Sequence, residues 1–312
     1  MEADQPVLVI GASGIDIKGR SGEPLQMGRS NQGAIRTTVG GVARNIAENL
    51  ARLEVPTILL SAVGDDRSGE SMLARTRETG VDTSYVLRLP DRQTGTYLAL
   101  VDAEGQLIVA LSDYDIVTAI SSSYLLHHQD LFSHASMIAL DANLSPKALA
   151  TAFRLAKRYD LPVCVDPTSP TLAAKLLPYL PQIHMVAPDA FEAATLLRTE
   201  YEPLTTRDAA VALAQRIVNT GVKIAIVTLA EHGLAYADGS GAGQIPALRT
   251  PVMDKTGAGD ALTAAVIFGL LNEMPLDEAM RLGIAAASLT LRTRETVAND
   301  LSLDRLYDAL VV

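Results

Sequence analysis

The run Asp254-Lys255-Thr256-Gly257-Ala258-Gly259-Asp260 leads directly into the apolar stretch Ala261 to Leu271. Two glycines flank an alanine where a helix begins, so little side-chain bulk screens the backbone N–H groups. Those unpaired donors and the positive end of the helix dipole make a natural anion hole. Asp260 falls in the first turn beside it. A carboxylate there can take a proton from an attacking hydroxyl while the amides hold developing phosphoryl charge. Spacing alone leaves a second reading open, in which Asp260 caps its helix and the glycines form a tight turn.

Outward from this run, short β-branched apolar segments alternate with longer amphipathic ones. Val7 to Ile10, Thr57 to Val63, Met137 to Leu140, Val163 to Val165, His184 to Ala187 and Lys223 to Thr228 read as buried strands. Helices are expected over 41–53, 69–79, 146–159, 191–197, 207–219, 258–271 and 276–290. Such alternation argues for an α/β fold, a mostly parallel central sheet with helices on both faces. Two segments break the rhythm. Gly14 to Thr38 is polar and rich in Gly, Ser, Gln and Arg, and Thr94 to Ser112 reads as two strands joined at Asp102-Ala103-Glu104-Gly105. Both are expected to belong to a small β lid over 14–38 and 94–112, with ordinary surface hairpins as the alternative. No repeat or linker interrupts the chain, so residues 1–312 are expected to form a single domain.

Composition narrows the function classes. The 312 residues are 48% hydrophobic and 20% charged, enough for a sizeable core. Trp is absent and aromatics are scarce, so Ala, Val, Ile and Leu must build it, as suits parallel strands under helices. A net charge of -10 argues against a nucleic-acid polymer as partner. Cys164 is the single cysteine; it excludes an internal disulfide or a cysteine zinc site and reads as a small buried hydrophobe. The acidic start Met1-Glu2-Ala3-Asp4-Gln5 lacks the basic region of a secretory signal, and no apolar run approaches the ~18 residues of a membrane span. No membrane is therefore expected, and the cytoplasm is the default location.

Two further motifs sit at strand-to-helix junctions. Gly40-Gly41-Val42-Ala43-Arg44-Asn45 opens a helix, where paired glycines admit a ligand and Asn45 offers donor and acceptor. A tight turn with an exposed Asn explains it equally well. Gly11 to Asp16 follows the first strand, so Asp16 lies at the carboxyl end of the sheet, where open α/β folds bind ligands. A turn Asp satisfying local N–H groups is the alternative there. Other patterns fail. No Walker phosphate loop and no Gly-x-Ser-x-Gly elbow occurs. Gly239 to Gly243 is followed by Pro246 and reads as a hairpin loop. His127, His128 and His134 lack helical metalloprotease spacing.

Taken together, the glycine pair with Asn45 and the late Gly257-Ala258-Gly259-Asp260 run resemble the two signatures of the ribokinase-like (PfkB) carbohydrate kinase family, over nearly the whole chain. The stretches 11–19, 40–53, 61–65, 96–101, 110–116, 141–145 and 165–168 resemble its pseudouridine-phosphorylating branch. The resemblance implies a ribokinase-like fold and ATP-dependent transfer to the 5′-hydroxyl of pseudouridine, with another nucleoside or sugar, or a catalytically silent relative, as alternatives. It implies Asp260 as the base and Gly257, Ala258 and Gly259 as the anion hole. Asp16, Gly41 and Asn45 would meet the ribose, Ser112, Asp113 and Asn143 the base, and Asp166 the same crevice. Thr228, Glu231 and Gly233 would hold ATP. Asp189 and Glu192 would organise Mg2+ through water, and Asp254 and Thr256 would bind K+. A homodimer through the lid is a further expectation. Three positions depart from the family pattern: Gly14 and Asp189, where Asn is usual, and Ala230, where Gly is common.

Overall fold

The computed structural model describes residues 5–203 and 206–311; of the N-terminal stretch read for a targeting signal, only Gln5 falls among them. In chain order its strands are β1 (Val7–Ile10), β2 (Gly14–Ser21), β3 (Gly33–Gly40), β4 (Thr57–Gly64), β5 (Val86–Leu89), β6 (Gly95–Val101) and β7 (Leu107–Asp113). There follow β8 (Met137–Asp141), β9 (Val163–Asp166), β10 (Met185–Val186), β11 (Ile224–Thr228), β12 (Leu234–Asp238) and β13 (Ala242–Ile245).

Nine of these form one sheet in the order β13-β12-β11-β10-β9-β8-β1-β4-β5. Every pairing from β11 to β5 is parallel, and β12 and β13 add an antiparallel edge. Gly239 to Gly241 turn between those two edge strands, as the hairpin reading expects. Successive strand residues face opposite layers. Leu8 and Ile10 pack with Phe132, Leu149 and Phe153 on one side. Val7 and Val9 pack with Ile46, Leu50 and Val266 on the other, and Cys164 is buried in this layer. Burial on both faces explains why the parallel strands read as unbroken apolar runs.

The helix Ala258–Leu271 is apolar all round because it is enclosed all round. Leu262 and Val266 face the sheet layer, while Ala261, Ala265 and Phe268 join Leu282, Leu289 and Leu306 in a further cluster. Its N-terminus is thereby fixed in position.

The remaining four strands make a second sheet, β3-β2-β6-β7. Hairpins at β2/β3 and β6/β7 are joined by parallel pairing of β2 with β6, so they are one structure rather than separate surface hairpins. Residues in register share a face. Thr38, Asp16, Tyr97 and Ser112 form one row on the inner face. The outer face carries Ile35, Leu98, Leu100, Val109 and Leu111, all exposed, Ile35 by 79%.

Candidate functional site

The carboxyl ends of β1, β8, β9, β10 and β11 open on one edge of the main sheet. Residues at those ends and in the loops that follow come together beneath the lid.

Gly257 begins the helix Ala258–Leu271 with φ 85°, and a Cβ there would meet the Thr296 carbonyl oxygen at 1.9 Å, so only glycine fits. The N–H groups of Gly257, Gly259 and Asp260 make no hydrogen bond to any described residue, and that of Ala258 makes only a long one, 3.5 Å, to the Lys255 carbonyl. Gly259 is exposed, and a Cβ there would meet nothing within 4 Å. Free amides and open space adjoin, as an anion hole requires.

Asp260 is 7% exposed. Asn45, in the helix Val42–Arg52, donates Nδ2 to Asp260 Oδ2 at 2.7 Å. Burial, then the nearby Asp166 carboxylate, push the Asp260 carboxyl well above the usual range, with Asp16 and Asp141 adding to the rise and the Asn45 bond opposing it. A carboxyl so raised holds a proton more tightly than an ordinary carboxylate, as a general base must. Asn45 Oδ1 accepts from Thr296 Oγ1 and Arg44 Nη1, each at 3.1 Å. The buried amide, expected to meet the sugar, is engaged by protein at both ends and holds the Asp260 carboxyl in place. Arg44 is itself anchored to Glu48 within the same buried helix face.

Asp16, on the inner face of lid strand β2, is 7% exposed, with its carboxyl pushed up to about 6 by burial. A Cβ on Gly40 would fall 2.5 Å from that carboxylate, so this glycine makes its room. Gly41, at φ 96°, passes so close to Ala12 and Ser13 that a Cβ would meet the Ala12 carbonyl oxygen at 2.6 Å. Ser112 shares the inner row with Asp16. Asp113, one residue on, belongs to the opposite face by strand alternation, which corrects the expectation that both meet the base. Tyr114 fills the space that side chains at Gly14 and Gly95 would need, and burial with Asp16, Asp141 and Asp260 nearby pushes its hydroxyl well up.

Asp141, absent from the sequence expectations, is fully buried at the end of β8. It accepts from the Ala12 N–H at 2.7 Å, the Ala43 N–H at 3.1 Å, and the Asn143 N–H and Nδ2 at 2.9 Å each. It thus ties the loop after β1 to the mouth of the Val42–Arg52 helix. The signal was available, since Asp141 ends an apolar run just as Asp166 does. Asp166 stands in register with it and accepts from the Thr168 N–H at 2.8 Å. Burial first, then Asp141 and Asp189, push Asp166 up to about 7, despite the Thr168 bond.

On the far side, Asp189 caps the helix Ala190–Leu196. Its Oδ1 accepts from the Glu192 N–H at 2.8 Å while Glu192 Oε2 accepts from the Asp189 N–H at 2.9 Å. The other oxygen on each has no hydrogen-bond partner among the described residues, a donor set that suits a hydrated Mg2+. Burial and the Asp166 and Asp189 charges push Glu192 up to about 8. Thr228, at the end of β11, bridges to Asp189 in the parallel sense. The turn that follows holds Ala230 at φ 49° and Gly233 at φ 91°, with Glu231 exposed between them.

Asp254 and Thr256, expected to hold K+, are instead engaged by a side chain of the chain itself. Lys18 Nζ donates to Asp254 Oδ1 and, at 2.7 Å, to Thr256 Oγ1. An ammonium at these two oxygens leaves the pair ill-suited to a second cation. Among the described residues no three or more His, Cys, Asp or Glu side chains converge as a direct metal cluster, and no helix is long and apolar enough to cross a membrane. A cleft of about 290 Å³ lined by Leu161, Pro181, His184 and Lys223 lies at the amino ends of β9, β10 and β11, away from this site.

The model of the pfkB family carbohydrate kinases matches residues 4–302. A pseudouridine kinase of Escherichia coli (strain K12) is 37% identical over 298 residues, covering 95% of this chain and 94% of its own. The guanosine-inosine kinase of Exiguobacterium acetylicum is 28% identical, covering 93% and 95%. Among solved structures, a putative ribokinase II of E. coli in complex with ATP and Mg2+ superposes with a TM-score of 0.83, at 19% identity and coverage of 98% and 99%.

Proposed function

The chain belongs to the pfkB family of carbohydrate kinases, ATP-dependent enzymes acting on small nucleoside or sugar acceptors, and within that class we propose that its acceptor is pseudouridine, which ATP converts to pseudouridine 5′-phosphate with release of ADP. The observation that carries the chemistry is the Asp260 carboxyl beside unbonded amides at one helix mouth. In this reading Asp260, aimed by Asn45, takes the proton of the 5′-hydroxyl as its oxygen attacks the terminal phosphorus. The N–H groups of Gly257, Ala258 and Gly259 hold the charge on the phosphoryl oxygens. Asp16 accepts from ribose hydroxyls, and Gly41 lets the sugar lie against backbone. Ser112 and Asn143 edge the base, and Asp166 shapes the crevice wall.

On the nucleotide side, Thr228, Glu231 and Gly233 cradle ATP. Asp189 and Glu192 hold the hydration shell of its Mg2+, which neutralises phosphate charge. The acceptor assignment draws on the similarity to the E. coli pseudouridine kinase and on the inner lid row beside Asp16. The enzyme works in the cytoplasm, and a second copy covers the apolar outer face of the lid; sedimentation of a Leu111→Lys variant as a monomer, against a wild-type dimer, checks that pairing. For the acceptor, ADP release is measured across pseudouridine, uridine, guanosine, inosine, adenosine and ribose. The highest kcat/KM is expected for pseudouridine, and a clear preference for any other member of the panel overturns the assignment.

A further inference from the structure

The loop that builds the anion hole is tied to the lid by an ion pair the reaction scheme does not use. Lys18 belongs to β2, two residues beyond Asp16 on the same inner face. Its ammonium reaches Asp254 Oδ1 and Thr256 Oγ1, and Asp254 Oδ1 also accepts from the Thr256 N–H at 2.9 Å. The carboxylate therefore folds its own loop at Thr256, one residue ahead of Gly257. Burial would raise Asp254, yet Lys18 and Thr256 hold it below the usual range. The pair is largely enclosed, with side chains 25% and 16% exposed. The space left among Asp16, Lys18, Asp254, Thr256 and Thr296 is about 10 Å³, at the lower limit of a single water. Close by, Arg36 of β3 meets Glu295 at 2.5 Å, so a second lid strand is anchored to the loop that carries Thr296.

We propose that Lys18 is a positioning residue whose ammonium takes the seat of a monovalent cation at Asp254, fixing the anion-hole loop from the lid and freeing this kinase from any need for K+. The inference rests on the reading of Gly257 to Gly259 as the anion hole. One ammonium supplies the charge that would otherwise be drawn from solution, and it does so only when β2 lies over the crevice.

The test compares wild type, Lys18→Met and Lys18→Arg in KCl, NaCl and tetramethylammonium chloride at equal ionic strength, using the acceptor that gives the highest turnover. Wild-type kcat is expected to agree within about twofold in all three salts. Lys18→Met is expected to lose roughly ten- to a hundredfold in kcat in tetramethylammonium, as a displaced catalytic group does. KCl, but not tetramethylammonium, should restore part of that loss with saturation and raise the variant's melting temperature, leaving that of wild type unchanged. Lys18→Arg, which keeps the charge, should lie between the two. Saturable activation of wild type by K+, or full kcat for Lys18→Met without K+, overturns the proposal. Wild type alone decides the first of these, should the Met variant fail to fold. Normal turnover by an Asp260→Asn variant would remove the underlying reading instead, a different result from either.

Discussion

The acceptor side of the crevice and the nucleotide side are held in different ways. On the acceptor side the bonds join residues far apart: Asn45 to Asp260 across 215 positions, Ala12 to Asp141 across 129, Lys18 to Asp254 across 236. On the nucleotide side several join neighbours, as in the Asp189–Glu192 capping box and the 3-10 turn Ala230–His232, with the Thr228–Asp189 bridge as a longer link. The acceptor half is therefore preorganised by the whole fold, and its groups are buried. The nucleotide half rests more on local turns, with Asp189 and Glu231 exposed and Glu192 buried. Electrostatic catalysis needs the first arrangement, because dipoles that must reorient during reaction lose most of their effect.

The contrast predicts where substitutions hurt. Asp260→Asn should lower kcat by about 10² or more while leaving the protein folded, as measured by steady-state ADP release and circular dichroism. Turnover within threefold of wild type would break the assignment. Asn45→Ala should act through the pH profile: losing a hydrogen bond to the ionised form raises the Asp260 pKa, so the acid limb of kcat moves up by about one pH unit. An unmoved limb would mean that Asn45 does not tune the base.

Ligand-free stability tests the crowding of carboxyls across the crevice. Folding pushes Asp16, Asp166 and Glu192 to about 6, 7 and 8, from ordinary values of 3.8, 3.8 and 4.5. Each folded group holds its proton where the unfolded one has lost it, so unfolding releases protons and stability falls as pH rises from about 4 to about 8. Urea midpoints should show that slope, and Asp166→Asn should flatten it; a midpoint that rises over the same window would refute the crowding. The smallest effect is expected on the nucleotide side. Ala230 sits at a left-handed φ that costs an L-residue about 1 kcal/mol, so Ala230→Gly should stabilise by less than about 1 kcal/mol, the unfolded glycine offsetting part of the gain. A loss of stability would show that the turn does not strain Ala230.

Much of this was legible beforehand, for identifiable reasons. The parallel strands and their helices carry unambiguous apolar periods, and the bounds of the helices at 42–52, 146–158 and 258–271 lie within one or two residues of those expected. Strands β5 and β13 are short and only partly buried, so their sequences hold no comparable signal. The lid hairpins are readable, but the β2–β6 seam that unites them is a pairing between distant segments that no local pattern encodes. Strand-end position pointed to Asp16 and Asp166. It did not show that Asn45 would turn to Asp260, that Asp113 would face away, or that Lys18 would reach Asp254, because each depends on contacts across the fold.

Strand β1 has a consequence for how the molecule comes to exist. It precedes every other strand of the main sheet in the chain, yet it lies inside that sheet, between β4 and β8. A chain leaving the ribosome must therefore keep four of its most oily residues waiting until residue 141 has emerged to complete their shelter. Synthesis from the amino end thus supplies the keystone before the arch.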